Sequence, residues 1–305
     1  MPSSVKQVLF ITLSCVGDAV MTTPVLKALH TAYPEARFDI VADKRSDIIF
    51  VNCPFRGEIF YKDKRKFLRG APALVQKLFR KKYDVIVDLR TDGLAYLLRG
   101  EKRYTKWNGK AYGVHAVESL MGIIRNIHED KPIPSPEVWI DKNSIAFATQ
   151  ALADLPGKSI LAFGPGCSGK RQKKFWPTKN YAALANGLQD VFDAVLLLGG
   201  SGDKKLVLEI SKELELPCLD MCLETDLLQA AALLQQSKVF VGSDSGLGHV
   251  AAAVDTPTLS FFSVDKPERC LPWGPFSHWI MGQDGDARKI SVEESEANIR
   301  RMLSA

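Results

Sequence analysis

The stretch KVFVGSDSGLGHVAAA, Lys238 to Ala253, decides the fold. Val239-Phe-Val241 is a short β-branched and aromatic run, which reads as a buried strand. Gly242 to Ser245 turns the chain, and Gly246 to Ala253 continues as a tightly packed helix. A strand that turns directly into a helix is half of a βαβ unit, and such units build parallel sheets. The Ser245 and Gly246 amides then lie at a helix N-terminus, where unpaired N–H groups and the helix dipole favour an anion. Asp244 would repel a phosphate, so it is expected to accept a hydroxyl or fix the loop. His249 lies one turn inward. It can donate to a phosphate or a sugar, or serve as a satisfied core histidine.

Outward from this stretch the same alternation recurs. Val8 to Leu13 reads as a strand, and Thr23-Pro24 opens a helix through about Ala32, with proline placed in its first turn. Arg37 to Val41 is a second strand. Helix-like Ala73 to Lys82 leads to a strand at Val85 to Leu89. Pro132, Pro134 and Pro136 mark an extended exit, and a helix from about Asn143 to Leu155 follows. The pattern then restarts with strands at Ser159 to Phe163, Ala194 to Leu198 and Thr258 to Phe262. Helices are expected at 181–189, 204–214, 225–235 and 293–303. Two α/β domains result, 1–150 and 151–305, and the final helix 293–303 can pack back on the N-terminal domain.

The 305 residues match a two-domain length, and 46% hydrophobic with 25% charged residues is the mix of a globular protein. Wholesale disorder, collagen-like fibre and coiled-coil rod are excluded. No apolar run approaches the roughly 20 residues that span a bilayer. Val8 to Val16 lacks the flanks of a signal peptide. The six cysteines are too sparse for a disulfide scaffold and lack metal-site spacing, so they are expected to be reduced thiols in a cytoplasmic protein.

The net charge of +5 is unevenly spread. Residues 1–152 carry 24 Lys and Arg against 16 Asp and Glu, net +8, and residues 153–305 carry 16 against 19, net −3. Basic clusters stand at 62–66, 80–82 and 99–110. Summed charge steers anionic partners. With no nucleic-acid motif present, an anionic membrane surface or a phosphorylated substrate fits the basic half.

Four further segments can carry chemistry. Val16-Gly17-Asp18 follows the first strand, at the end where open α/β sheets bind ligands. Asp18 can act there as a general base or simply front the helix. Gly164-Pro-Gly-Cys-Ser-Gly169-Lys170-Arg171 approaches a phosphate-binding P-loop, but Arg171 replaces the Mg²⁺-binding hydroxyl. The turn still offers Gly166, Ser168 and nearby Lys174 to a phosphate. Leu198-Gly199-Gly200 leads to Asp203, which can meet ribose hydroxyls or cap a helix. The fourth segment, Pro267-Glu-Arg269 and Pro272-Trp-Gly-Pro275, forms a loop after the last strand.

Together these segments resemble glycosyltransferase family 9, the lipopolysaccharide heptosyltransferases. The carrying motifs are Gly17-Asp18-Ala-Val-Met-Thr22-Thr-Pro24, Pro165-Gly166 with Lys174-Phe-Trp-Pro177, Leu198-Gly-Gly200, Asp244-Ser-Gly-Leu-Gly-His-Val-Ala-Ala252, and Pro267-Glu-Arg269 with Pro272-Trp-Gly-Pro275. They occur in order across about residues 8–276. The loop after Gly166 is longer and more basic than the common family pattern.

The resemblance implies a GT-B fold, two Rossmann-like domains facing across a cleft. The N-terminal domain would bind acceptor and the C-terminal domain the nucleotide sugar. It implies an inverting bacterial enzyme that moves a heptose from an ADP-sugar to a phosphorylated lipopolysaccharide inner-core acceptor. Asp18 would be the base and Lys174 would stabilise the leaving diphosphate. Gly166, Ser168, Gly200, Asp203, Asp244, Ser245, Gly246 and His249 would line the donor site. Gly17, Thr22, Lys62, Lys64 and Arg65 would meet the acceptor. No metal or other cofactor is expected. The enzyme would work in the cytoplasm, with peripheral contact at the inner membrane. A nucleotide-sugar epimerase and a non-catalytic sugar-nucleotide binding protein are the competing readings.

Overall fold

Val8, Leu9, Phe10 and Ile11 are wholly buried, which requires a strand covered on both faces. They form β1 (Gln7–Ile11), the middle strand of a parallel sheet. Beside it run β2 (Arg37–Ala42), β3 (Arg56–Tyr61), β4 (Tyr83–Asp88) and β5 (Gly100–Thr105), in the order β3-β2-β1-β4-β5. Among the described residues its α-helices are α1 (Val16–Ala32), α2 (Ala71–Phe79) and α3 (Ala116–Met121). The computed structural model describes residues 5–62, 71–109, 112–129, 131–167 and 172–304.

The chain divides into two compact units, Met1–Trp139 and Ile140–Ala305. The expected boundary near residue 150 moves to the end of the proline-rich exit. That exit is held to the first unit: the Glu137 amide donates to Thr23 Oγ1 at 2.9 Å, and Asn52 Nδ2 donates to the Trp139 carbonyl at 3.1 Å.

The second unit opens with α4 (Lys142–Leu152). Six parallel strands follow: β6 (Ile160–Gly164), β7 (Ala194–Leu197), β8 (Cys218–Asp220), β9 (Val239–Ser243), β10 (Thr258–Phe262) and β11 (Ser277–Met281). Their order is β11-β10-β9-β6-β7-β8. The helices are α5 (Thr178–Gly187), α6 (Lys204–Ser211), α7 (Leu227–Gln235), α8 (Gly246–Ala253), α9 (Pro267–Cys270) and α10 (Val292–Ser304). One core joins Leu161, Phe163, Trp176, Tyr181, Val241 and Phe261.

The last helix, α10, packs on α5, with Ile299 in the second core and Arg300 paired with Asp190 at 2.7 Å. One expectation is corrected. The first helix starts at Val16, not at Thr23, so Pro24 lies inside it. Proline has no N–H for the Val20 carbonyl one turn back, a loss that breaks most helices. Here the Thr23 hydroxyl donates to that carbonyl at 2.7 Å, and the Thr22 hydroxyl donates to Ala19 O at 2.6 Å. The Thr23 hydroxyl thus supplies the bond that the proline cannot.

All six cysteines are free thiols. Among the described residues no helix is long and apolar enough to cross a membrane.

Candidate functional site

In each sheet the strand order reverses at one place. In the first unit β1 leads outward to β2 and β3, and β4 leads the other way to β5. In the second unit β6 leads to β7 and β8, and β9 leads to β10 and β11. Loops leaving the two central strands diverge at their carboxyl ends and leave a crevice there, the usual ligand position in open α/β sheets. β1 and β4 reach this edge in register, Ile11 beside Asp88, and so do β6 and β9, Gly164 beside Gly242.

At the first crevice, Cys15 precedes α1 with extended backbone, and Asp18 is the third helical residue. It is half-buried in the first turn, where negative charge is stabilised. Gly17 is buried beside it. Thr22 takes a different place from the one expected. It is wholly buried, and its hydroxyl lies 2.7 Å from Thr12 Oγ1 while donating to Ala19 O. Thr22 ties α1 to the end of β1 and has no surface to offer an acceptor.

The loop after β4 adds residues that the sequence reading missed. Asp88 is fully buried, and its Oδ1 accepts the Arg90 amide at 3.0 Å and the Thr91 amide at 2.8 Å. Burial pushes the Asp88 carboxyl up, against these two amides. The Arg90 guanidinium donates to Ser14 Oγ, just ahead of α1, and its Nε lies 3.9 Å from Asp92. Lys62, at the end of β3, is ion-paired with the same Asp92. Its charge is therefore partly neutralised within the fold. Lys64 and Arg65 lie outside the described residues.

At the second crevice the central strands approach closely. A Cβ on Gly242 would lie 2.5 Å from the Gly164 carbonyl, so only glycine fits. Beyond β6, a Cβ on Gly166 would strike the Asp203 carboxylate at 2.1 Å. The Asp203 side chain therefore lies between the loops after β6 and β7, and it accepts the Gly200 amide at 2.8 Å within its own turn. One carboxylate oxygen is thus committed to holding the turn. Ser168 lies outside the described residues.

Lys174 ends a short 3-10 turn, Gln172–Lys174. The turn is anchored by Trp176, which is buried and donates from Nε1 to Ile290 O at 2.9 Å. Lys174 is 12% exposed, paired with Asp265 after β10 and 3.6 Å from Asp244 after β9. Burial works against its charge, but the Asp265 hydrogen bond and the two carboxylates outweigh it and raise its pKa. Burial also raises the Asp244 carboxyl; Lys174 opposes that, and Asp265 reinforces it. Ser245 caps α8 without using its side chain, and its hydroxyl is buried with no hydrogen-bond partner among the described residues. Gly246 begins the helix, and His249 is buried one turn in.

The structure thus brings Gly166, Lys174, Gly200, Asp203, Asp244, Ser245, Gly246 and His249 to one end of the second sheet. It places Asp18, Gly17 and Lys62 at the corresponding end of the first. Arg90 and Asp265 each stand in the loop directly after a buried strand, β4 and β10. Both strands are visible in the sequence, so the charged residues of their exit loops were the signal that could have found the pair. Among the described residues no three His, Cys, Asp or Glu side chains gather as a metal site.

Two parallel Rossmann-like sheets, each with a ligand crevice at its reversal point, define a two-unit enzyme of the GT-B kind. The family model for glycosyltransferase family 9 (heptosyltransferase) matches residues 98–299, and the chain belongs to that family. It is a glycosyltransferase. Lipopolysaccharide heptosyltransferase 2 of Escherichia coli K12 is 24% identical over 304 residues, covering 87% of this chain and 85% of that protein. A family 9 glycosyltransferase from Veillonella parvula has the same fold at TM-score 0.87 and 17% identity, over 100% of this chain and 99% of that one. The E. coli ADP-heptose lipopolysaccharide heptosyltransferase II has it at TM-score 0.82 and 21% identity, over 98% of both chains.

Proposed function

We propose that this protein transfers a heptose from ADP-heptose to a hydroxyl of the phosphorylated lipopolysaccharide inner core, with inversion at the anomeric carbon. The observation that carries the reading is the second crevice, where a half-buried lysine lies 3.6 Å from Asp244, two residues ahead of a helix N-terminus, beyond a glycine-lined strand pair. That is the chemistry a diphosphate needs. The names of the E. coli relatives support the heptose and the lipopolysaccharide.

The acceptor oxygen attacks the anomeric carbon as the bond to the diphosphate oxygen breaks. The hydroxyl proton passes to Asp18, and ADP carries away the bond's electron pair. A base at the reacting hydroxyl is worth about 10²–10⁴-fold in rate. Negative charge grows on the leaving diphosphate, where Lys174 and the Ser245 and Gly246 amides stabilise it. Lys174 already holds two carboxylates, so the donor phosphate competes with Asp265 for it. Asp244 suits a sugar hydroxyl, because its charge disfavours direct phosphate contact. The net +8 of the first half suits an acidic acceptor, and Arg90 adds a cation beside the Asp18 turn.

Lysine and amides can perform the charge stabilisation, so no metal is assigned a role, and activity is expected to persist in EDTA. The same reading puts the enzyme in the cytoplasm with peripheral contact at the inner membrane, where its glycolipid acceptor lies. Incubation with labelled ADP-heptose, with and without acceptor, tests it. Label should move to the acceptor only when both are present. Sugar isomerised without acceptor would make the protein an epimerase, and binding without turnover would make it a non-catalytic receptor.

A further inference from the structure

The first unit carries an apolar surface that its core does not use. Leu94 and Ala95 of the 3-10 turn Leu94–Leu97 are buried, while Tyr96 and Leu97 of the same turn face out, Leu97 at 60% exposure. Trp107 is 68% exposed and stacks on Tyr96, ring centroids 5.2 Å apart at 21°. Val114 is 72% exposed and Tyr112 is also exposed. Exposed apolar residues grouped in this way mark an interaction surface.

The surface is held in shape. Arg103 donates to the Ala95, Leu98 and Gly100 carbonyls at 2.8–3.0 Å. Tyr96 Oη lies 3.1 Å from Thr105 Oγ1. The loop after β5 lies against Ile123, since a Cβ on Gly109 would be 3.0 Å from Ile123 Cα. Two residues on, the Arg125 guanidinium sits 5.3 Å from the Tyr112 ring centroid. Here a pocket opens, walled by Tyr112, Arg125, His128 and Lys131 over Met121 and Ile133, and its lining holds no carboxylate among the described residues. Lys102 and Lys106 are exposed on the neighbouring strand and loop.

Exposed tryptophan, tyrosine and aliphatic side chains with Lys102, Lys106, Arg125 and Lys131 nearby suit the water–lipid boundary. Aromatic rings settle at headgroup depth there, and cations meet lipid phosphates. A protein partner of the usual kind would not need a pocket that sets Arg125 and Lys131 beside the apolar group. We propose that this face of the first unit docks on an anionic phospholipid bilayer, with Leu97, Trp107 and Val114 entering the headgroup boundary and the Arg125–Lys131 pocket receiving a lipid phosphate. The inference rests on the membrane contact in the proposed function and names the surface that makes it. The Lys106 amide donates to Thr91 Oγ1 at 2.9 Å, which ties this loop to the turn that carries Arg90. Docking would therefore bring the acceptor crevice to the membrane surface.

The test is sedimentation of the full-length protein with phosphatidylcholine vesicles, with and without phosphatidylglycerol. Wild type should bind the anionic vesicles and leave the neutral ones largely unbound. Arg125→Gln with Lys131→Gln should weaken binding about fivefold per charge removed. Leu97→Ser with Trp107→Ala should weaken it about tenfold or more. Brominated lipid should quench wild-type tryptophan fluorescence, and Trp107→Phe, whose position is outside the core, should lose most of that quenching. Unchanged vesicle binding in both double variants, or quenching that survives in Trp107→Phe, overturns the proposal. Loss of inorganic phosphate binding in the Arg125/Lys131 variant without loss of vesicle binding makes the pocket a free-anion site and also overturns it. The vesicles contain neither donor nor acceptor, so this result is independent of transfer. Transfer to a delipidated acceptor fragment should be equal in all variants. Its absence from wild type would sink the function reading and leave the docking result standing.

Discussion

The two crevices share one topology and differ in almost every side chain. Each opens where the strand order reverses, between β1 and β4 in the first unit and between β6 and β9 in the second. The first presents a half-buried carboxylate, Asp18, on a helix that runs through a proline, with Arg90 bound to Ser14 beside it. The second presents a half-buried cation, Lys174, held by Asp244 and Asp265, with glycines at each strand end. A proton acceptor suits a reacting hydroxyl, and a cation with amides suits a departing diphosphate. Backbone topology thus decides where a ligand can sit, and the loop residues decide which charges each crevice presents to it.

The largest expected effect breaks the comparison at the first crevice. Asp18→Asn should lower kcat by about 10²–10⁴-fold while ADP affinity stays nearly constant. Isothermal titration with ADP and an initial-rate assay check both halves. Weakened ADP binding would move Asp18 from the acceptor side to the donor side. Full turnover would remove it as the base.

The next effect breaks the second crevice. Lys174→Ala removes a charge-assisted phosphate contact of about 1.5–3 kcal/mol, which is about 10- to 100-fold in ADP affinity. Adding Asp265→Asn to Lys174→Ala should recover part of the loss, because the bare Asp265 carboxylate would otherwise repel the diphosphate. The acceptor KM should barely move. A change in acceptor KM as large as that in donor affinity would dissolve the division of labour between the crevices.

The smallest effect sharpens the comparison through the support of Lys174. The Lys174 turn lies against the turn Ala287–Lys289, and Trp176 bonds the carbonyl of Ile290 just after it. Asp286 caps that turn, and its bidentate pairing with Arg288 holds its carboxyl down, at about 2. The unfolded value is about 3.9. The folded state therefore binds fewer protons between these values. The contribution is fully present above the unfolded value and is lost as pH falls through the folded one. Thermal melts from pH 5 down to pH 2 should show a shallower decline for Asp286→Asn than for wild type. Equal slopes would show that the pair contributes nothing to the anchor.

Much of the second crevice was legible because its residues are consecutive. Ser245, Gly246 and His249 come after one strand and belong to one helix, and α8 spans the residues expected from the sequence, Gly246–Ala253. The first crevice was less legible because its groups come from separate loops. Arg90 reaches Ser14 across 76 positions of chain, a proximity that no local pattern encodes. Thr22 was misplaced for a similar reason. The sequence sets it in the same segment as Asp18, ahead of the expected helix start, and only the packed structure puts both on α1 and turns Thr22 inward toward Thr12.

The sequence by itself determined the central strands and nearly all the helices. Strands such as β1, β4, β6, β9 and β10 are buried on both faces, so they appear as unbroken apolar runs. The four strands it did not show, β3, β5, β8 and β11, are the four sheet edges. Gly100-Glu-Lys-Arg-Tyr-Thr105 is half exposed and charged, as edge strands commonly are, and carries no signal that separates it from a loop. Tertiary structure alone decided those edges, the start of α1, and the partners of Lys62 and Lys174. Hydrophobic periodicity is set within a few residues of chain. Edge pairing and ion pairing are set by whichever distant segment the fold brings alongside, and that is fixed only when the two sheets have assembled.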